Sequence, residues 1–306
     1  MKVIVTGATG FIGSRLCETL AASGHEPVAL SRRPSDAQYR LSALADAYEW
    51  SPMDGPPPLE AFEGVAAVVH LAGESVSGRW SPEKKRAIRE SRVRGTCHLV
   101  DALEQLEDKP GVLVSASGIN VYGDRGEEEL AEDAELGSGF LAQVGIDWEA
   151  EARRAEEVGV RVVNPRIGIV LGPNGGALQA MLTPFKLGVG GPMGSGRQWW
   201  AWVHRDDVVG IIQHAIEHDE IRGPINATAP NPTRQRDFAK TLGRVLTRPA
   251  FVPAPTFALK LLLGEFSQEL LGSQRVLPER AQQTGYAFGY PELEPALRTI
   301  LESGRS

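Results

Sequence analysis

A glycine-rich turn near the amino terminus restricts the possible folds more than any other feature of the chain. The segment GATGFIG, residues 7–13, follows directly on the apolar run at residues 3–5, and its glycines recur at every third position. After the turn, Ile12, Leu16 and Leu20 recur every four residues, which is typical of the buried face of a helix. The chain therefore passes from a buried strand through a tight turn straight into a helix.

This kind of turn has a specific chemical use. Unpaired backbone N–H groups and the positive end of the helix dipole meet there, where a pyrophosphate can bind. Gly7 would permit the tight turn, Gly10 would let phosphates approach the backbone, and Gly13 would let the helix pack closely on the sheet. The pattern predicts a dinucleotide-binding turn, and the alternative is a structural loop with incidental glycines.

Short apolar runs alternate with longer helical patterns along the chain. The runs lack the alternation of half-exposed strands, as is typical of strands covered on both faces of a parallel sheet. Ser81 and Pro82 form a good N-cap and first-turn pair for a helix that extends toward Leu106. The pattern predicts an α/β fold with a Rossmann-type doubly wound parallel sheet. The predicted strands are residues 3–5, 28–30, 65–71, 112–114 and 160–163.

Composition limits the classes of function. The chain has 306 residues, 42% of them hydrophobic, and a formal net charge of −7. These values indicate a globular, enzyme-sized protein and give no basic surface for nucleic acid. Cys17 and Cys97 are too few for a disulfide framework and suit a reducing compartment. Without a charged leader or a run of ~20 apolar residues, we expect a cytoplasmic monomer or homodimer with neither nucleic-acid nor membrane partners.

The length predicts one large domain with a smaller companion, because single hydrophobic cores stop growing near ~250–300 residues. The predicted Rossmann domain comprises residues 1–170 and 203–230. The smaller, mostly helical C-terminal substrate domain is predicted to comprise residues 171–202 and 231–306.

The apolar segment RPAFVPAPTFALKLLLGEF belongs to the smaller predicted domain. It begins with proline-punctuated extended chain and then places Phe257, Leu261 and Leu262 at helical spacing. Because the neighbouring segments lack a polybasic face, we expect a core or subunit-contact helix rather than a helix on a membrane surface.

The end of the second predicted strand indicates which dinucleotide binds. In this fold an acidic residue there accepts hydrogen bonds from the adenosine ribose, whereas a basic residue accommodates a 2′-phosphate. The chain reads LSRRP, so Ser31, Arg32 and Arg33 are available to bind a phosphate, and no carboxylate occurs before Asp36. The sequence therefore predicts NADP(H) as the cofactor, and the alternative is a solvated basic loop.

Longer motifs resemble those of one family. Together with the glycine turn, HLAGES at residues 70–75, SASGINVYG at 115–123 and VHRDDVV at 203–209 resemble the extended short-chain dehydrogenases/reductases. The segments GGPMGSGRQWWAWVH, NATAPNPTRQRDFAKTLGR and GSQRVLPERAQQTGYAFGYPEL are similar to the epimerase-like branch with a distinctive C-terminal domain. Members of that branch are described as nucleotide-sugar epimerases or NADP-binding oxidoreductases.

The resemblance implies cofactor contacts beyond the turn. The end of the strand at residues 65–71 would lie against the cofactor ribose and phosphates, and the end of the strand at residues 112–114 would lie beside the nicotinamide. Arg92 would reach the phosphates or ribose from the following helix, unless it is an ordinary surface arginine, and Val170 would pass along the nicotinamide carboxamide. The expected cofactor-binding residues are Gly7, Thr9, Gly10, Phe11, Ile12, Gly13, Ser31, Arg32, Arg33, Leu71, Ala72, Gly73, Glu74, Arg92, Ser115 and Val170.

The catalytic pair of the family is missing. Short-chain dehydrogenases pair a tyrosine with a lysine four residues later, whose ammonium lowers the pKa of the phenol. None of the five tyrosines has such a lysine, and Leu141 and Gly145 occupy the equivalent positions. We assign Ser117 as the catalytic residue, with Glu74 and Asp147 as weaker candidates for proton transfer.

Several other polar residues are expected to be structural. Tyr122 is more typical of a packing residue at such a turn, and His70, inside an apolar strand, is expected to be a core histidine. Asp206 and Asp207, which follow His204, are expected to cap the next helix, and no metal site is assigned.

A tryptophan-rich segment is the candidate for substrate binding. The sequence GSGRQWWAWVH holds three of the six tryptophans and an arginine, which together can clamp an anion and stack a flat group. The predicted substrate-binding residues are Arg197, Trp199, Trp200 and Trp202, and the alternative is that the rings form a hinge between the domains.

Two classes of function follow from these observations. The first is an NADP(H)-dependent oxidoreductase or epimerase-like enzyme acting on a small polar or glycosyl-type substrate. The second is a cofactor-bound sensor or regulator with little or no turnover, which the missing catalytic pair favours. The fold alone does not distinguish them.

Overall fold

The computed structural model describes residues 1–303, and a parallel sheet forms the centre of this part of the chain. The fourteen strands are β1 Lys2–Thr6, β2 Glu26–Ser31, β3 Asp46–Glu49, β4 Val65–His70, β5 Val112–Ser115, β6 Ser117–Gly118, β7 Glu129–Leu130, β8 Arg161–Ile167, β9 Ile169–Leu171, β10 Trp199–Trp200, β11 Trp202–His204, β12 Gly223–Ala227, β13 Thr233–Arg234 and β14 Arg275–Val276.

Eight of these strands make the central sheet, in the order β12-β8-β5-β4-β1-β2-β3, with β6 paired to β8. All of their pairings are parallel. The chain winds outward from β1 in one direction through β2 and β3 and in the other through β4 and β5. This order confirms the predicted doubly wound sheet, and the reversal between β1 and β4 is where such sheets bind ligands.

Helices cover both faces of the sheet and build the C-terminal region. They are α1 Gly13–Ala22, α2 Pro34–Arg40, α3 Pro82–Gln105, α4 Phe140–Arg153, α5 Gly176–Lys186, α6 Arg205–Glu217, α7 Gln235–Leu246, α8 Thr256–Leu263, α9 Ser267–Leu271, α10 Glu279–Gln283 and α11 Leu293–Ser303. Short 3₁₀ helices occur at Leu59–Phe62, Ile119–Tyr122, Arg154–Val158 and Gly264–Phe266. Ser81 caps α3 as predicted, since its hydroxyl accepts a hydrogen bond from the backbone N–H of Lys84.

Alternate residues of each strand enter different cores. Val3 and Val5 pack with residues of α1 and α6 on one face of the sheet, whereas Ile4 packs with residues of α3 on the other. Both faces are therefore covered, which explains the nearly continuous apolar runs of the sequence. Cys17 is buried in the first core, and Cys97 is a half-buried free thiol that accepts a hydrogen bond from Arg154.

A third core lies in the C-terminal region. It unites residues of α5, α7 and α11 with the buried rings of Trp200 and Trp202. Its members come mainly from the two segments that the sequence assigns to a smaller domain, whose last three residues, 304–306, lie outside the described residues. None of the helices within residues 1–303 has the length and apolar character that crossing a membrane requires.

The structure contradicts one half of the expectation for the apolar segment that forms α8. Its spacing predicts a core or subunit-contact helix, but Phe257, Leu261 and Leu262 are 74%, 76% and 73% exposed. Only Leu259 of this helix is buried. The core assignment is wrong because apolar spacing reports a helix face without reporting what covers it.

Candidate functional site

A cleft of about 590 Å³ opens at the carboxyl ends of β1, β2 and β4, at the reversal of the strand order. This is the position at which a doubly wound sheet binds a dinucleotide. Nine of the expected cofactor-binding residues line it, namely Gly7, Thr9, Gly10, Ser31, Arg32, Leu71, Ala72, Gly73 and Glu74.

The glycines of the turn meet distinct steric demands. Gly7 has a φ of +68°, and a Cβ there would lie 3.0 Å from the carbonyl carbon of Leu71 and from the N atom of Ala72. A Cβ on Gly13 would lie 2.2 Å from the carbonyl oxygen of Gly7, so the close approach is to the turn itself rather than to the sheet. Gly10 donates its N–H to the Gly7 carbonyl at 2.9 Å and lines the cleft.

The first turn of α1 continues from these glycines. Its N-cap residue, Ile12, makes no capping hydrogen bond through a side chain, which leaves the helix terminus open to a ligand. Phe11 turns away and packs against the glycines at residues 172–176, with the Arg205 guanidinium 5.0 Å from its ring. Val170 of β9 lies in the same cluster. Phe11, Ile12 and Val170 therefore lie outside the lining of the cleft.

Thr6 joins the ends of β1 and β4 beneath the cleft. Its Oγ1 accepts hydrogen bonds from the backbone N–H groups of Leu71 and Ala72, both at 3.1 Å, and lies 2.7 Å from Nδ1 of His70. With both lone pairs engaged, the hydroxyl donates to Nδ1, which assigns the ring proton of His70 to Nε2. His70 is fully buried between two tryptophan rings, and burial lowers its pKa to about 4. It is a neutral core histidine, as predicted.

The end of β2 presents a basic surface to the cleft. Arg32 is exposed and lines the cleft, whereas Arg33 is the N-cap residue of α2 and donates its backbone N–H to Oγ of Ser31 at 3.2 Å. The nearest carboxylate in the sheet register, Glu49 on β3 opposite Ser31, lies outside the lining. The cleft therefore offers a guanidinium and a hydroxyl where a 2′-phosphate would lie.

Sequence reasoning missed two walls of the cleft. One follows β3 and comprises Trp50, Ser51, Pro52 and Met53. The other is a face of α3 and comprises Glu83, Arg86, Ala87, Glu90 and Ser91. The spacing of the α3 residues by three or four was a usable signal, because such residues share one helix face.

Arg92 supports the loop after β4 rather than lining the cleft. Its guanidinium donates hydrogen bonds to the carbonyl oxygens of Glu74 at 2.9 Å and Ile88 at 3.1 Å, and lies 5.2 Å from the Trp148 ring. A Cβ on Gly73 would lie 3.2 Å from its central carbon. Burial lowers the pKa of Arg92 to about 10, so the side chain remains charged at neutral pH.

A chain of buried polar side chains starts at Ser117. Its hydroxyl donates to Glu149 at 2.7 Å, and Glu149 accepts two hydrogen bonds from the Arg166 guanidinium, each at 2.9 Å. Arg166 also donates to the hydroxyl of Tyr122 at 2.9 Å, which in turn donates to the Asn226 side chain at 2.7 Å. All five side chains are buried. The hydroxyl hydrogens of Ser117 and Tyr122 are both donated to acceptors within the protein.

The charges of Glu149 and Arg166 within this hydrogen-bonded series of side chains stabilise each other. Burial opposes the charge of Arg166, but the hydrogen bonds and charge of Glu149 raise its pKa above the ordinary value. Burial also raises the pKa of Tyr122, against the opposing effect of Arg166. Tyr122 therefore stays a neutral phenol in the hydrophobic core, which agrees with its expected packing role.

A side chain at residue 145, the position of the usual catalytic lysine, would overlap the side chain of Val121 unless that side chain shifted. A Cβ on Gly145 of α4 would lie 2.5 Å from Cγ1 of Val121 and 3.9 Å from Oγ of Ser117. Leu141, at the position of the tyrosine, packs in an apolar cluster with Ile88. The absence of the pair therefore agrees with the packing of α4 against the 3₁₀ helix Ile119–Tyr122.

The weaker candidates for proton transfer are engaged in ion pairs. Glu74 pairs with Lys84 at 2.5 Å, and Asp147 pairs with Arg89 at 2.8 Å. Ser115 is buried at the end of β5, and its hydroxyl makes no hydrogen bond within the described residues.

The structure divides the predicted substrate-binding residues. Trp200 and Trp202 are buried, and their indole N–H groups donate to backbone carbonyls at 3.4 and 3.1 Å. Both rings belong to the third core, and this packing favours the alternative that they are structural. Trp199 is half-buried between two arginine guanidiniums, and Arg197 is exposed.

The helix cap predicted for the acidic pair is wrong. His204 is the N-cap residue of α6, and its Nδ1 accepts a hydrogen bond from the backbone N–H of Asp206 at 3.1 Å. Asp207 is buried instead and accepts the N–H groups of Gly289 at 2.7 Å and Tyr290 at 3.0 Å. It therefore anchors the C-terminal region to α6. Within residues 1–303, no group of three or more His, Cys, Asp or Glu residues could hold a metal ion.

The doubly wound sheet, the glycine turn and the cleft at the reversal of strand order define a Rossmann-type dinucleotide-binding protein. The chain belongs to the NAD dependent epimerase/dehydratase family, whose model matches residues 3–227. A domain of unknown function, DUF1731, matches residues 254–300. These matches confirm the resemblance to the epimerase-like branch with its distinctive C-terminal domain.

Relatives cover almost the whole chain. The chloroplastic SDR39U1 homolog of Arabidopsis thaliana, an epimerase family protein, is 42% identical over 99% of this chain and 87% of its own length. The Bacillus subtilis epimerase family protein YfhF is 36% identical over 98% of both proteins. The crystal structure of human SDR39U1 with NADPH superposes with a TM-score of 0.88 at 35% identity, covering 99% of each chain.

Proposed function

We propose that the protein binds NADPH in the cleft and uses it as an oxidoreductase or epimerase-like enzyme on a small polar or glycosyl-type substrate. The observation that carries the proposal is the guanidinium of Arg32 at the end of β2, where an NAD-specific site would hold a carboxylate. The human relative that was crystallised with NADPH supports the same cofactor.

The described residues fit such a cofactor. The turn of residues 7–13 and the open terminus of α1 would hold the pyrophosphate, and the wall at Trp50–Met53 would contact the adenine. Ser31 and Arg32 would bind the 2′-phosphate, while Arg33 would contribute only long-range charge. The nicotinamide would extend toward the ends of β5 and β6, near Ser115 and Ser117, and supply the hydride.

Ser117 is the group that we propose to handle the proton. Its hydroxyl oxygen can accept a hydrogen bond from a substrate hydroxyl while its own hydrogen remains on Glu149. A proton could then pass from substrate to Ser117 as the Ser117 proton passes to Glu149. This relay would replace the missing tyrosine, and Trp199 and Arg197 remain proposed substrate contacts at the edge of the smaller domain.

The alternative function is that of a cofactor-bound sensor or regulator. It is favoured by one observation, namely that a side chain at residue 145, the position of the usual catalytic lysine, would overlap Val121. A screen of nucleotide sugars, aldehydes and ketones that follows NADPH absorbance distinguishes the two functions when NADPH binding is measured in parallel. Tight binding without turnover of any substrate supports the sensor.

The screen also tests the proposed relay. With an active substrate, Ser117→Ala should reduce kcat by about 10²–10⁴-fold, the usual value of acid–base assistance, and leave the affinity for NADPH unchanged. Tyr122→Phe is the matched control, because its hydroxyl lies deeper in the same buried chain. A large loss in Tyr122→Phe with full activity in Ser117→Ala contradicts the assignment of Ser117.

A further inference from the structure

Exposed apolar side chains are concentrated in one part of the C-terminal region. Of eleven large hydrophobic side chains that are exposed within residues 1–303, seven belong to the segments 187–189 and 251–262. The two segments are linked, since Val252 donates its N–H to the carbonyl of Gly190 at 3.3 Å. Single exposed apolar residues are ordinary, but a cluster marks an interaction surface. We call this set the apolar patch: Leu187, Val189, Phe251, Val252, Phe257, Leu261 and Leu262.

A groove of about 620 Å³ adjoins the apolar patch, and four of its eight lining residues are basic, with Asp237 the one acidic residue among them. Arg236, Lys240 and Arg244 recur every four residues on α7 and therefore share one helix face. Arg248 continues this basic lining, and Phe251 belongs to both the groove and the apolar patch. Phe251 thus joins the groove to the apolar patch, and cations border exposed apolar groups at this junction.

Part of this positive charge is not neutralised by the protein. Arg244 is paired with Glu294, and Arg236 lies 3.9 Å from Asp237. Within residues 1–303, Arg248 donates only to backbone carbonyls, and Lys240 makes no ion pair with a carboxylate. In a chain with a net charge of −7, such a local excess of cations indicates an anionic partner.

We propose that this surface binds peripherally to a lipid bilayer that contains anionic lipids. The lysine and arginine side chains would contact headgroup phosphates, and the apolar patch would enter the boundary with the acyl chains. A free anion would make no use of seven exposed apolar side chains. A symmetric contact between two copies through this surface would bring the unpaired cations of both copies into one interface, and like-charge repulsion there disfavours it. The proposal revises the expectation from the sequence that the chain has no membrane partner.

Cosedimentation of the full chain with lipid vesicles tests the proposal. Binding should be strong to vesicles of equal parts phosphatidylcholine and phosphatidylglycerol, weak to pure phosphatidylcholine, and reduced by salt. Replacing Lys240 and Arg248 by glutamine should weaken the partition coefficient about 25-fold, at roughly fivefold for each cation. Phe257→Ser combined with Leu261→Ser should weaken it at least tenfold, at low and high salt alike.

Matched controls separate the surface from general effects. Tyr39 on α2 is 91% exposed outside the apolar patch, and Arg153 is an exposed arginine on α4, so Tyr39→Ser and Arg153→Gln should leave vesicle binding unchanged. Thermal stabilisation by NADPH shows that each variant is folded and tests the cofactor proposal independently. Equal binding to both vesicle types, or no binding to either, overturns the proposal. Self-association that the Phe257 and Leu261 changes abolish, without vesicle binding, would assign the surface to a second copy.

Discussion

The preference for NADPH should depend on Arg32 and hardly at all on its neighbour Arg33. Both arginines follow β2, but only Arg32 lines the cleft, whereas Arg33 starts α2 and donates its backbone N–H to Ser31. Arg32→Ala removes the only guanidinium that the structure brings from this loop to the cleft. We therefore expect NADPH to bind at least tenfold more tightly than NADH to the unchanged protein, and Arg32→Ala to remove most of that difference.

The magnitude follows from the exposure and charge of the side chain. A hydrogen bond between charged groups is worth about 1.5–3 kcal/mol, which corresponds to roughly 10–150-fold in Kd. Because Arg32 is exposed, solvent and salt screen the contact and place the effect at the lower end of this range. Arg32→Ala should thus weaken NADPH binding about tenfold, leave NADH binding unchanged, and lessen the dependence of NADPH affinity on salt.

Calorimetric titration with both cofactors measures these effects directly. Arg33→Ala is the matched control, since it removes the same charge one residue away and should change the Kd for NADPH by less than about threefold. Equal losses for NADPH and NADH in Arg32→Ala would show that Arg32 contacts a part common to both cofactors. A larger effect of Arg33→Ala would show that the cleft is rearranged when the cofactor binds.

Three further changes test other parts of the structure. Gly10→Val should abolish the thermal stabilisation by NADPH while circular dichroism shows a folded protein, because the side chain would occupy the phosphate approach; retained stabilisation would place the pyrophosphate elsewhere. Glu149→Leu should lower the free energy of unfolding in urea by about 3–5 kcal/mol by leaving Arg166 unpaired and buried, whereas Asp147→Ala, in an exposed pair, should cost less than about 1 kcal/mol. The pKa of His70 is about 4 in the folded protein and 6.5 ordinarily, so the unfolded state takes up the proton first as the pH falls. The free energy of unfolding should therefore decrease by up to about 3 kcal/mol as the pH is lowered from 6.5 to 4. His70→Gln should lose this part of the pH dependence, and an unchanged slope in urea titrations at several pH values would refute it.

The sequence was sufficient for the features that depend on local pattern. Glycine spacing after an apolar run predicted the turn, the apolar runs predicted five strands of the central sheet, and Ser81 with Pro82 predicted the start of α3. Each of these signals involves residues within one or two turns of chain, where backbone geometry and side-chain burial are directly coupled.

The features that sequence reasoning missed depend on contacts between distant segments. Arg92 lies against Gly73 because α3 packs across the loop after β4. No local pattern in the sequence predicts that contact. The composition of the tryptophan segment likewise showed that aromatic rings cluster there, but it did not show that the rings of Trp200 and Trp202 face the core. The steric overlap at Gly145 arises only when α4 packs against Val121, so the sequence showed the missing lysine but not the close contact at its position.

The position of Thr6 has a consequence for how quickly a ligand can be captured. Its hydroxyl holds two successive backbone amides, those of Leu71 and Ala72, on the rim where phosphates would arrive. These amides should exchange with deuterium slowly even in the ligand-free protein, because opening them requires β1 and β4 to separate. That part of the rim is thus preorganised, and little conformational entropy remains to be lost there on association. The phosphates of a dinucleotide should therefore bind to a preformed surface here, without a slow conformational change.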